Sequence, residues 1–358
     1  MTLSDYRPLG RSGLLVSPMA LGTMTFAAAR WGTDEAASGA VLDAYLDAGG
    51  NLVDTADVYA GGEGERMLGR LLAARGARDE VVLATKAGFA TGRGPHRGGN
   101  GRKHVTAAVE GSLRRLGTDR IDLFWLHVWD GITPAAEIVD TMAGLVRSGK
   151  VLHWGLSNVP AWLAAQCAAL GDPVALQLFQ SLTSRDPERE HVPLARDAGL
   201  GLVAWSPLSY GLLTGKYDRA AVEAAGPRAA GLPNQAGGGE GAESRQRLDG
   251  ANPFGDTLFT DRNWAIVDAL RAVAAEAGAP MARVALAWLL GRPGGWVPLL
   301  GASGPGQVRD NAAALGLALD PAHRARLDAA SAPEASLYAL FDGPMRSGAV
   351  FGGASVRS

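Results

Sequence analysis

Four polar residues stand where apolar runs stop. Asp54 follows Asn51-Leu52-Val53, and Tyr59 comes five positions later. Lys86 ends Val81-Val82-Leu83-Ala84-Thr85, and His127 ends Ile121-Asp122-Leu123-Phe124-Trp125-Leu126. Taken singly, each has an ordinary structural role: Asp54 caps a turn, Tyr59 is a half-buried aromatic, Lys86 pairs with an acid, and His127 sits satisfied in a core. Together their chemistry is complementary. A phenol with a pKa near ~10 is a poor acid at neutral pH, and a neighbouring ammonium favours the phenolate and lowers that value. Asp54 can pair with Lys86 and keep it charged and in place. His127 offers a second hydrogen bond to the same substrate oxygen. Such a group gives a proton to an oxygen as it becomes an alkoxide, which is what carbonyl reduction by hydride requires. No cluster of His, Cys and Asp has metal-ligand spacing, so this chemistry needs no metal.

These side chains meet only if the strands that carry them are parallel neighbours. Short apolar runs alternate with helical patterns along the whole chain, the signature of repeated βα units. Expected strands are 18–22, 51–53, 81–84, 121–126, 151–156, 174–179, 201–205 and 296–300. Helices are expected over 34–48, with Asp34 as N-cap, and over 64–74 and 106–116. Further helices are expected from Pro134 and Pro160, over 190–198, 262–277 and 281–290, and from near Pro305. About eight such units close a (β/α)8 TIM barrel, whose strand C-termini share one face where chemistry collects. Arg7 to Gly10 and Leu14 to Val16, turning at Arg11-Ser12-Gly13, read as an N-terminal β-hairpin outside that barrel.

Two long loops interrupt the rhythm, Gly88 to Lys103 and Gly226 to Thr257, and both follow strands on the catalytic face. Residues 1–331 read as one barrel domain without a linker. Residues 332–358, with Phe341 and Phe351 among glycines, read as a tail that is either a pocket lid or disordered.

Composition narrows the class. The chain has 358 residues, 47% hydrophobic and 20% charged, with a net charge of −2, so nothing points to nucleic acid or an anionic membrane as partner. The single cysteine, Cys167, excludes an internal disulfide framework and reads as a small buried apolar residue. The start lacks a secretory pattern, and no apolar run reaches membrane-spanning length, so a cytoplasmic location is expected.

Several motifs now combine: Leu21 to Phe26, Gly49 to Tyr59, Leu83 to Lys86, Ser112 to Leu123, Gly149-Lys150-Val151 and Gly155-Leu156-Ser157-Asn158. They continue in Ser206-Pro207-Leu208, Gly211 to Tyr217, and Gln307 to Asn311. Over about residues 6 to 330 the chain resembles the aldo-keto reductases. That resemblance implies a barrel binding an extended nicotinamide cofactor at its C-terminal mouth without a Rossmann domain. No Gly-x-Gly-x-x-Gly follows the first strand here. The resemblance makes Tyr59 the general acid, supported by Asp54, Lys86 and His127. It assigns Ser157, Asn158 and Gln177 to the nicotinamide carboxamide, with Thr23, Met24 and Asp54 also at the cofactor. Ser206, Leu208, Gly211 and Lys216 match the pyrophosphate clasp; Gly301, Ala302, Ser303, Gln307, Asp310 and Asn311 match the adenosine end. Phe26, Trp31 and Trp129, after the first and fourth strands, are candidate walls of the substrate pocket.

Two positions depart from the family pattern. Gln180 stands where relatives commonly place an aromatic that stacks on the nicotinamide, leaving the platform lost or supplied by Phe179, and Trp125 is bulkier than usual. The expected function is reduction of a small ketone or aldehyde with NADP, with NAD also usable. Where NADPH-preferring relatives carry a basic residue, this chain has Ser303 and Gln307, and Arg309 is the nearest cation in sequence. A smaller NADPH preference follows. Two other readings stay open: a Schiff-base lyase using Lys86 as nucleophile, and a non-catalytic nicotinamide-binding regulatory subunit. Neither the substrate nor the oligomeric state is legible.

Overall fold

The alternating runs close into a parallel barrel. Its strands are β3 (Ala20–Gly22), β4 (Leu52–Asp54), β5 (Val82–Ala87), β6 (Ile121–Leu126), β7 (Val151–Ser157), β8 (Ala175–Phe179), β9 (Gly201–Trp205) and β10 (Val297–Leu300). They pair in chain order, and β10 pairs with β3 to complete the (β/α)8 TIM barrel. The computed structural model describes residues 1–29, 31–228, 248, 252, 254–334 and 344–354. Parts of the 226–257 loop and of the tail, including Phe341, therefore lie outside the described residues; Phe351 is exposed.

Helices cover the barrel where the sequence punctuates them. Asp34 accepts a hydrogen bond from the Ala37 amide at 2.8 Å and starts α1 (Glu35–Asp47). The helix α2 (Glu63–Arg75) ends at Gly76 in the left-handed conformation, which glycine adopts without strain. Next come α3 (Arg102–Leu116), α4 (Ala135–Arg147), α5 (Ala161–Leu170) and α6 (His191–Ala198). Pro134 and Pro160 stand one position before their helices with extended backbone, as the fixed proline φ permits. The second half adds α7 (Arg219–Ala224), α8 (Asp261–Glu276), α9 (Met281–Leu290), α10 (Pro305–Ala312), α11 (Pro321–Ala330) and α12 (Pro344–Ala349). Of these α7, α11 and α12 were not expected. The helix α3 begins four residues before its expected start, within the stretch expected as loop.

Period-two alternation decides which side chains enter the barrel. One apolar cluster contains Ala20, Leu52, Val82, Ala84, Leu123, Trp125, Ala175, Val203 and Val297, one or two from nearly every strand. Two residues further along the same faces stand Asp54, Lys86, His127 and Gln177. Alternation thus stacks the polar set above an apolar plug. Trp125 is fully buried, and its register partner is Gly155, where a Cβ would lie 2.5 Å from the indole. The bulky residue is accommodated by the small one opposite it.

The hairpin pairs β1 (Arg7–Pro8) with β2 (Leu15–Val16). Leu9 and Val16 belong to the interior cluster, and the Arg11 amide donates to the Gly199 carbonyl at 2.7 Å. The hairpin is therefore a separate sheet outside the barrel strands, as expected, and packs against the barrel floor. Among the described residues no single helix is long and apolar enough to cross a membrane.

Candidate active site

Lys86 organises the mouth of the barrel. Its side chain is 1% exposed and the Asp54 side chain 2%. The ammonium donates to Asp54 Oδ1, to the Thr55 carbonyl at 2.9 Å and to the Tyr59 hydroxyl at 3.3 Å. All three N–H groups of the ammonium are thereby engaged. Burial pulls the lysine pKa down, but Asp54 and Tyr59 outweigh it and hold the group above the ordinary lysine value. Burial likewise lifts the Asp54 carboxyl above its usual range, opposed by Lys86 and by Gln177, whose Nε2 donates to Asp54 Oδ2 at 3.0 Å.

His127 is 8% exposed, with its ring edge-on to Tyr59 at 6.1 Å and to Phe89 at 4.6 Å between centroids. Burial, and then Lys86, hold its pKa well below the ordinary histidine value, so the imidazole is neutral. Its Nδ1 is buried without a hydrogen-bond partner. Neutral imidazole carries one N–H, which suits it to hydrogen-bond an oxygen without adding charge.

The expected carboxamide residues lie beside this group. Ser157 and Gln177 are buried register partners on β7 and β8. Asn158 is held at φ 51° and its amide is engaged within the protein: Nδ2 donates to the His127 carbonyl (2.9 Å) and Ser157 Oγ (3.0 Å), and Oδ1 accepts from Trp205. Asn158 thus braces the shelf. Thr23 plays a similar part, its amide and hydroxyl both donating to the Asp54 carbonyl. Met24 is half-buried next to it.

The segment expected to clasp the pyrophosphate follows β9. Ser206, Ser209 and Tyr210 have φ of 48°, 48° and 56°, and Gly211 has φ 95°. A Cβ on Gly211 would lie 2.5 Å from Lys216 Cε, so the lysine folds across a turn only glycine permits. Ala27, Ala60 and Asn158 are the remaining left-handed non-glycine residues described, and all six follow barrel strands. These left-handed residues lie on the same face of the barrel as Lys86 and Tyr59. Leu208 is half-buried in the same segment. At the far end Gly301 is exposed, Ala302 is buried, and Gln307 Oε1 accepts from the Ser303 amide (2.8 Å) and hydroxyl (3.2 Å). Asn311 is buried, Asp310 exposed, and Arg309 exposed.

Some expectations need correction. Phe26 is fully buried in the core, because its loop turns back through a bridge to Thr33, and its ring offers no pocket surface. Trp31 is half-buried, and Trp129 stands edge-on to Trp162 at 5.1 Å. Gln180 is buried, its Nε2 given to Glu188 at 2.8 Å, and so provides no stacking surface. The aromatic surface there is Trp205, stacked on Phe179 at 4.6 Å. Trp205 went unnoticed because it reads as the last residue of a strand. A buried acidic pair in this region was also missed: Asp57, 3% exposed, and Glu65, 0% exposed, which accepts from Thr85 Oγ1 (2.6 Å) and Arg115 Nε (2.5 Å). Burial first, then Glu65, pushes the Asp57 carboxyl up to about 8. Asp57 sits in the same Asp54-to-Tyr59 stretch as the acid, which was the available signal.

The closed parallel barrel thus carries, at its mouth, a buried lysine–aspartate pair within hydrogen-bond reach of a tyrosine. The model of the aldo/keto reductase family matches residues 18–332, and the chain belongs to that family. It is 34% identical over 319 residues to a probable voltage-gated potassium channel subunit beta of Oryza sativa subsp. japonica, covering 87% of this chain and 91% of that one. It is 38% identical over 234 residues to a norsolorinic acid reductase of Aspergillus flavus, 60% of each. An uncharacterized oxidoreductase of Bacillus subtilis is 35% identical over 332 residues, 88% of this chain and 92% of that one.

Proposed function

We propose that the protein reduces a ketone or aldehyde to an alcohol with NADPH, Tyr59 acting as general acid. One observation carries this reading. The buried Lys86 ammonium bonds Asp54, the Thr55 carbonyl and the Tyr59 hydroxyl at once, which fixes a cation beside a phenol. A bound nicotinamide cofactor supplies the hydride that reaches the carbonyl carbon. The developing alkoxide takes its proton from Tyr59, and Lys86 stabilises the phenolate left behind. His127, neutral, hydrogen-bonds the same oxygen and orients the carbonyl. Ser157 and Gln177 hold the carboxamide, and the turn at Gly211 with Lys216 receives the pyrophosphate. The half-buried Trp129 and Trp205 favour an apolar or aromatic carbonyl compound. The norsolorinic acid reductases among the relatives support the reductive direction. The proposed partners are a nicotinamide cofactor and a small-molecule carbonyl substrate, with a cytoplasmic setting and no nucleic acid or membrane as part of the proposal.

The lyase reading loses ground because an ammonium with all three protons engaged is a poor amine nucleophile. A regulatory reading draws on the relatives named as channel beta subunits. Turnover separates them. Purified protein with NADPH and a panel of aromatic and aliphatic ketones and aldehydes should oxidise the cofactor in proportion to alcohol formed. Tight cofactor binding with no turnover on any carbonyl would favour the regulatory reading.

A further inference from the structure

The residues of the adenosine end present a charge problem. A ribose 2′-phosphate is a dianion at neutral pH and calls for a cation with several donors. Gln307 presents its oxygen to Ser303 and the Ser303 hydroxyl is engaged in return, so neither brings a positive charge. Arg309 stands two positions after Gln307 on α10, and side chains two apart do not share a helix face. Asp310, three positions after Gln307, does share it.

A different arginine reaches that face. Arg283, on α9, places Nη2 4.0 Å from Asp310 Oδ1. Its Nε is buried and has no hydrogen-bond partner. The separation from Asp310 is too long for a hydrogen bond, so the pair is loose and readily exchanged. Two residues earlier on the same helix, Met281 packs on the turn before Lys216: a Cβ on Gly215 would lie 2.6 Å from its Sδ. The first turn of α9 thus touches the pyrophosphate clasp through Met281 and the adenosine helix through Arg283. With α10 and the turn at Gly211 receiving the cofactor as proposed, this guanidinium stands on the adenosine side of the site.

The geometry points to Arg283 as the specificity-determining cation for the adenosine 2′-phosphate, with Asp310 as its opponent. This rests on the proposed use of a nicotinamide cofactor. Arg283 attracts the phosphate of NADPH, while the Asp310 carboxylate repels it and accepts hydrogen bonds from the free ribose hydroxyls of NADH. Both cofactors then bind, and the preference for NADPH is set by the balance of two facing charges rather than by α10 alone.

Binding measurements test this without reference to turnover. Quenching of tryptophan fluorescence gives Kd for NADPH and NADH; calorimetry gives Kd for adenosine 2′,5′-bisphosphate and adenosine 5′-monophosphate, which lack the nicotinamide. Arg283→Gln should weaken NADPH and the bisphosphate by about ten- to a hundredfold and leave NADH and the monophosphate within about twofold. Arg283→Lys should retain part of the preference, because it keeps charge but not the planar fork. Arg309→Gln should change neither. Unchanged thermal unfolding of the three variants excludes a folding artefact. Phosphate preference untouched in Arg283→Gln, or abolished in Arg309→Gln, overturns the assignment while leaving cofactor use intact. Wild-type protein that binds neither NADPH nor NADH overturns the proposed function and the assignment with it.

Discussion

Replacing Lys86 by methionine should do two separable kinds of damage. The substitution keeps length and apolar bulk but removes the cation paired with Asp54, whose side chain is 2% exposed. At that burial solvent cannot screen the orphaned carboxylate, and breaking a buried pair from one side costs about 3 to 5 kcal/mol. The loss should depend on pH. Burial already raises the Asp54 carboxyl above its ordinary value, and without Lys86 it rises further. A group whose folded pKa is raised contributes stability below its ordinary pKa and loses it as pH climbs through the folded value. Lys86→Met should therefore be nearest to wild type in acid and lose stability progressively as pH rises. Adding Asp54→Asn removes the charge that cannot be accommodated, so the double variant should recover most of the lost stability at the higher pH. Catalysis should not recover, since Tyr59 still lacks the donor 3.3 Å from its hydroxyl. Urea unfolding of the four proteins at two pH values, with turnover measured on each, completes the cycle. Equal destabilisation at both pH values, or a double variant no more stable than Lys86→Met, would refute the buried-pair account.

Asp57 makes a related prediction. Its carboxyl is pushed from the ordinary 3.8 up to about 8, so wild-type stability should fall with a slope near ~1.4 kcal/mol per pH unit between those values. Thermal unfolding of Asp57→Asn should show a flatter profile over that window, and an unaltered slope would remove Asp57 as the cause. Gln177→Leu takes away a carboxamide partner and the donor to Asp54 Oδ2 at 3.0 Å. NADPH should then bind about tenfold more weakly by fluorescence titration, and full affinity would exclude Gln177 from the cofactor site.

The barrel was legible because its strands are short apolar runs, each followed by helix punctuation, and because Asp54, Lys86 and His127 end three of them. What alternation conceals is depth. Gln177 sits among apolar neighbours, yet its link to Asp54 depends on strands that are distant in sequence meeting across the barrel. The hairpin outside the barrel was legible, but nothing in Arg7 to Val16 says which surface Leu9 and Val16 cover; closure of the barrel makes that surface an interior. Phe26 read as a pocket wall by position, but a turn back to Thr33 buries it. Gln180 read as the stacking position, but its amide is tied to Glu188, and the aromatic pair beside it is Trp205 stacked on Phe179. Arg283 was invisible to motif reading, lying well before the Gln307 to Asn311 stretch it faces and joined to it only by helix packing.

Tyr59→Phe tests the central claim most directly. The ring and its packing stay, and the proton is lost. Single-turnover hydride transfer from NADPH to the best carbonyl substrate should fall by about two to four orders of magnitude, with Kd for NADPH unchanged. Turnover close to wild type in a variant that binds cofactor normally would contradict Tyr59 as the acid, and with it the account of why Lys86 is buried beside it.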